Sequence, residues 1–204
     1  MAAPVPDSRS VFINCPFDYA YSPLFDAIVF AVVACGFEPR SAVDSDEGPR
    51  LDRITGALFS CRYSIHDLTR CTGEGIENLA RLNMPLELGM AMAFRALGET
   101  VDRHEWFVMV PTGRSYFRFI SDLGGFDLAE HDETTRAVIS KVIAWLWLKG
   151  LSWKPTPQQV MEVLPNFEEA LRVLRATFAP ADPPWSEIVL AALANQPSLI
   201  ARGQ

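Results

Sequence analysis

Short apolar runs and helically spaced apolar stripes take turns along the chain as far as Gly150. Val11-Phe12-Ile13, rich in β-branched and aromatic residues, predicts a buried strand after a loose polar lead-in, Met1 to Arg9. The strand stops at the turn-forming segment Asn14-Cys15-Pro16-Phe17-Asp18, where Pro16 denies helix to Cys15. Ser22-Pro23 opens a helix through Cys35, with Gly36 as its stop. Phe37 to Val43 reads as a second strand, and Asp44 to Pro49 as a polar loop. Leu51, Ile54, Leu58 and Phe59 recur at helical spacing between Arg50 and Ser60. Cys61 to Asp67 is the third strand and ends in a carboxylate; Leu68 to Leu82, with Thr72-Gly73-Glu74-Gly75, is a loop. A helix from Asn83 ends near Gly98, and Glu105 to Val110 is the fourth strand, stopped by Pro111. Tyr116 to Leu123 is a short helix or aromatic loop, and Thr134 to Lys149 a helix with Val138, Ile139, Val142, Ile143 and Leu146 on its core face.

Strands alternating with helices predict an α/β domain over residues 1–150, a mostly parallel sheet of four to five strands with helices on both faces. Ligands of such sheets sit beyond the carboxyl ends of the strands, near a switch in strand order. Here those ends are Asn14 to Asp18 and Asp67 to Arg70, and the Asn83 helix opens at the same edge. After Gly150 the pattern changes. Ser152 to Pro157 reads as a linker, followed by helices over Pro157–Leu164 and Asn166–Phe178, a break at Pro180–Pro184, and a last helix over Trp185–Ala194. Residues 151–204 are therefore a helical extension that packs on the domain or mediates assembly.

Length and composition narrow the class. At 204 residues and 49% hydrophobic content the chain suits one domain with an extension. A net charge of -7 argues against broad binding to nucleic-acid backbone. The longest apolar run, Ala27 to Cys35, is too short to span a membrane, and the start of the chain lacks the pattern of a signal peptide, so a cytoplasmic protein is expected. Cys15, Cys35, Cys61 and Cys71 form no C-x-x-C pair, and His66, His104 and His131 stand at no metal-ligand spacing from them, which disfavours zinc.

The charge pattern singles out one residue. Between Arg81 and Arg95 the only ionisable group is Glu87, in Asn83-Met84-Pro85-Leu86-Glu87-Leu88-Gly89-Met90-Ala91-Met92-Ala93-Phe94, which reads as a buried helix capped by Asn83. A buried carboxylate must be paired, protonated or used. Placed in the first turn, Glu87 serves either the helix end or chemistry, with the helix dipole favouring its ionised form. Asp67, at a strand end, can face the same cleft or cap its turn. A carboxylate under an anomeric carbon can attack it or stabilise an oxocarbenium-like transition state. Around these two, Asn14 can bind a hydroxyl or serve the turn. Phe12, Phe17 and Tyr19 can stack on a base or pack the core. Arg50 and Asp52 can reach the cleft or pair at the surface, and Asn83 borders it. Cys15 reads as packing, and His66 as a core histidine pointing to the opposite face from Asp67. Gly73 and Gly75 do not make a phosphate loop.

Val11-Phe12-Ile13-Asn14-Cys15-Pro16-Phe17, then Ser64-Ile65-His66-Asp67-Leu68-Thr69, then the Glu87-Leu88-Gly89-x-Ala91 helix together resemble nucleoside 2-deoxyribosyltransferases and the related Toll/interleukin-1-receptor (TIR)-like domains. The resemblance covers roughly Ser10 to Val110 and implies a three-layer, flavodoxin/TIR-like fold. It implies Glu87 as nucleophile or charge stabiliser in cleaving an N-glycosidic bond, Asp67 as the acid orienting the sugar, and the Asn14–Phe17 segment, with Cys15 and Pro16, lining the sugar site. The ligand implied is a nucleoside, nucleotide or NAD; no cofactor is expected, NAD entering only as substrate. Homo-oligomer formation is also implied. The pattern is similar to bacterial nucleotide-binding proteins with TIR-like folds suspected of roles in anti-phage defence. The alternative is a sensor that holds a nucleotide in the same cleft without cleaving it. The chain departs from the transferases where Asn14-Cys15-Pro16-Phe17 replaces a Gly-Pro-type turn, and its C-terminal helices have no counterpart there.

Overall fold

The computed structural model describes residues 7–42, 48–71, 81–98, 103–113 and 115–202. Most of the polar loop after Val43 and the Thr72–Gly75 segment lie outside them. Five strands, β1 (Asp7–Asn14), β2 (Glu38–Ser41), β3 (Cys61–Asp67), β4 (Glu105–Pro111) and β5 (Ala129–His131), form an all-parallel sheet in the order β2-β1-β3-β4-β5. The helices are α1 (Ser22–Ala34), α2 (Arg50–Ser60), α3 (Asn83–Leu97), α4 (Thr135–Leu146), α5 (Pro157–Phe178) and α6 (Trp185–Arg202). This is a three-layer, flavodoxin-like α/β fold, and its strand order reverses between β1 and β3.

Side-chain alternation sorts the two faces. Val11 and Ile13 of β1 and Ile65 of β3 pack with α1 and α4, whereas Phe12 packs with Ile54 and Leu58 of α2 and Ala91 of α3. Helix α1 is apolar on every side, and Leu24 through Ala34 are all buried. A helix of that kind needs cover all round. The sheet supplies it from below, α4 from one side, and α5 and α6 from outside. Val160, Val163, Leu164, Phe167 and Leu171 of α5 and Trp185, Ile188 and Ala192 of α6 belong to the same core as α1. Burying each of the larger ones contributes about 1.5–3 kcal/mol. Phe30 stacks on Phe167 with centroids 5.0 Å apart. Asp26, buried on α1, receives both Arg175 amino groups at 2.8 Å, and the Trp185 indole donates to the Pro39 carbonyl.

Several boundaries differ from the sequence reading. Strand β1 begins at Asp7, within the stretch read as lead-in, and β5 follows the aromatic loop, which holds two short 3-10 turns. The two helices expected on either side of Pro165 are one, α5. Pro165 faces solvent, where one lost hydrogen bond is tolerable, while the apolar stripe continues beneath it against α1. Helix α6 runs to Arg202, beyond the expected Ala194.

Candidate functional site

Helix α3 is amphipathic rather than buried. Its buried residues are Met84, Glu87, Leu88 and Ala91, a single stripe at helical spacing, while Leu86, Gly89 and Ala93 are exposed. Leu82, not Asn83, occupies the cap position, and no side chain caps the helix; Asn83 is an exposed first residue. Glu87 is thus the fifth helical residue, outside the first turn, where the dipole's help has faded. It fills a core-stripe position at 4% exposure. Burial pushes its pKa from 4.5 to about 7, opposed by the positive charge of Arg50 at the start of α2. No hydrogen bond from a described residue holds the carboxylate.

Asn14 lies at the end of β1 beneath the start of α3. Its amide donates to the Met84 carbonyl at 3.0 Å and to His66 Nδ1 at 2.9 Å. Both amide hydrogens are then spent, so a ligand meets Asn14 through Oδ1, an acceptor for a hydroxyl. The rest of this chain of bonds fixes every proton. His104 Nδ1 must donate to the Cys61 carbonyl, which has no hydrogen, so His104 Nε2 accepts from Ser64 Oγ. Ser64 Oγ in turn accepts from His66 Nε2, leaving His66 Nδ1 to accept from Asn14. Both imidazoles are neutral in this relay. Burial, aided by His104, takes His66 down to about 3, and burial lowers His104 as well.

Asp67 is on the other face of the sheet, as strand alternation from His66 requires. It is fully buried, and four donors use its oxygens: Tyr21 Oη at 2.5 Å and His131 Nε2 at 3.1 Å on one, the Thr69 amide at 2.8 Å and Thr69 Oγ1 at 2.5 Å on the other. The Glu133 amide donates to His131 Nδ1, which leaves Nε2 as that histidine's donor. Glu133 itself has a left-handed backbone, φ 59. Asp67 is accordingly a knot tying β3, β5 and the start of α1, and it does not share a cleft with Glu87. Cys15 sits between the two acids: burial raises its thiol pKa first, then the charges of Asp67 and Glu87. A thiol held protonated is no nucleophile.

The other candidate residues divide. Arg50 acts on Glu87, whereas Asp52 is exposed in the first turn of α2, where it suits the helix dipole. Phe12 is fully buried and presents no stacking face. Pro16 and Phe17 line a separate cavity of about 550 Å3 between the end of β1 and the α5–α6 junction, with Phe17 edge-on to Phe25. Sequence reasoning missed Asp18. Arg70 grips it at 3.2 and 3.3 Å and Arg81 at 3.0 Å, which holds its carboxyl below the usual range and joins the loop after β1 to that after β3. The signal was present, since Asp18 closes the strand-end segment and Arg70 the next one.

Asn14, Cys15, Arg50 and Glu87 therefore converge where the strand order reverses, and they offer a hydroxyl acceptor, a cation and an unheld carboxylate. Among the described residues no group of three His, Cys, Asp or Glu side chains could hold a metal ion, and no helix is long and apolar enough to cross a membrane. Comparison with protein-family models, curated proteins and solved structures found no match.

Proposed function

We propose that the chain cleaves the N-glycosidic bond of a nucleoside, nucleotide or NAD, with Glu87 as nucleophile or charge stabiliser and Asn14 accepting a sugar hydroxyl. One observation carries the reading: a carboxylate to which no described residue donates a hydrogen bond occupies a core position of α3 at the β1/β3 switch point, beside an amide whose donors are both spent. Packing alone does not account for it, because an apolar side chain in that stripe would avoid the desolvation. Burial strengthens interaction with a developing cation, and the oxocarbenium-like state has one at the anomeric carbon. With Asp67 committed to its own knot, Glu87 is the single acid of this site among the described residues.

The sealed Asp67 also favours a second reading, since the described residues bring no second acid to Glu87: a sensor that holds the nucleotide without cleaving it. Chromatography after incubation with a pool of nucleosides, nucleotides and NAD separates the two. A free base released by the wild-type chain supports the enzyme. Thermal stabilisation by a nucleotide with no product supports the sensor.

A further inference from the structure

A cavity of about 570 Å3 opens at the amino-terminal edge of the sheet, the end opposite Glu87. Half of its wall belongs to the α/β domain: Arg9 of β1, Phe37 just before β2 and Tyr63 of β3. The other half is the segment from Lys149 to Trp153 after α4, with Gln196 of α6. Its volume falls within the roughly 300–1,000 Å3 of small-molecule sites.

The polar groups around it are mostly donors. The Trp153 indole N–H is buried and has no acceptor among the described residues, unlike Trp147 and Trp185, whose indoles donate to the Pro155 and Pro39 carbonyls at 3.1 and 3.2 Å. A buried orphan donor calls for an acceptor from outside. Lys149 Nζ lies 4.7 Å from the Trp145 ring centroid and 5.6 Å from that of Tyr63, and reaches Glu105 at 2.5 Å. Glu105 is shared with Arg62, 3.9 Å away, and Arg9 braces the Gly36 carbonyl. Asp7 is engaged by the Arg9 amide and Ser10. Arg9 and Lys149 line the cavity and no carboxylate of a described residue does, so its wall is cationic on a chain of net charge -7. Lysine, arginine and indole offer hydrogens and accept none. The Phe37, Tyr63 and Trp153 rings supply flat apolar wall.

The geometry points to a second ligand site here, for a planar aromatic ring bearing a carboxylate or a phosphate. The ring lies against the aromatic wall, and the oxyanion meets Arg9 and the Trp153 N–H. Because the wall is part domain and part tail, occupancy ties α4–α6 to the sheet and stabilises the fold. The site stands apart from the glycosidic reading, since no residue is shared with the Glu87 site.

The test follows the Trp153 indole N–H in proton–nitrogen NMR spectra of the full chain, assigned by its loss in Trp153→Phe. Nicotinate, AMP and inorganic phosphate are titrated separately to about 10 mM, far above typical ligand dissociation constants. The expected result is a saturable downfield shift of that proton with nicotinate (a ring carboxylate source) or AMP (a ring phosphate source), with the Trp147 and Trp185 indoles unmoved. Affinity should fall about tenfold in Arg9→Gln, through loss of a charge-assisted bond, and persist in Glu87→Gln. No shift with either ring probe overturns the site. So does an equal response to phosphate alone, which marks an adventitious ion only, and so does unchanged affinity in Arg9→Gln.

Discussion

Glu87 occupies a position where α3 otherwise buries methionine, leucine and alanine, and its ionisation works against folding. In the unfolded chain it loses its proton near 4.5, in the folded chain near 7. Between those values the native state binds the extra proton, so this residue's contribution to stability declines as pH rises through the window and is lowest above it. Glu87→Gln, neutral at every pH, is expected to change stability little at pH 5 and to raise it at pH 8 by up to about 3 kcal/mol. Denaturant melts at the two pH values measure this; a variant less stable at pH 8 contradicts the assigned burial cost. Reading the chain alone marks Glu87 because charge is absent around it for a dozen positions. It misplaces the residue by one position, because the cap falls on Leu82, which has no capping side chain to announce it. Asp67 is the converse case. Its strand-end position is legible, but its donors Tyr21 and His131 come from remote segments that no local pattern links to it.

At the scale of elements, β3 carries two polar systems on opposite faces: the Asp67 knot, and the relay through Ser64 and His66 that joins β1, the approach to β4 and the start of α3. Ser64→Ala removes the relay's middle, leaving His66 without an acceptor and His104 without a donor. A loss of about 2–5 kcal/mol is expected from two orphaned buried groups, read from denaturant midpoints at pH 7.5, where the histidines are neutral. A loss within a few tenths of a kcal/mol would show that the relay is not formed. In the helical tail the continuity of α5 through Pro165 is the main departure from the sequence reading. Pro165 marks a helix break in the sequence because proline is a local signal, whereas the break at Pro180–Pro184 is present between α5 and α6. What makes α5 continuous is its stripe on α1, a tertiary effect. That α1 would need such cover was readable from its unbroken apolar run. Arg175→Leu leaves the Asp26 carboxylate buried without its bidentate partner, and an expected loss of about 2 kcal/mol, discounted for the half-exposed guanidinium, is recovered in part by adding Asp26→Leu. A double mutant no better than the single would place the tail's attachment elsewhere.

For the whole molecule, the two ends of the sheet gather different groups. The carboxyl end gathers Asn14, Cys15, Arg50 and Glu87 at the reversal of strand order, and the amino end holds the donor-rich cavity that the tail helps to close. The α/β architecture was accessible from alternation alone, since each strand is a short apolar run and most helices keep a 3.6-residue stripe. Which strand ends adjoin, and which acids face one another, depends on strand order and face, and these appear only in the folded chain. The account's central claim is that Glu87 performs chemistry on a glycosidic bond. The most direct measurement is release of free base by the wild-type and Glu87→Gln chains, side by side, on the substrate that the wild type consumes. The account predicts a fall of about a thousandfold or more in kcat/KM, of the order seen for loss of a catalytic charge, with the variant folded and no less stable. Equal turnover by the two chains would contradict it.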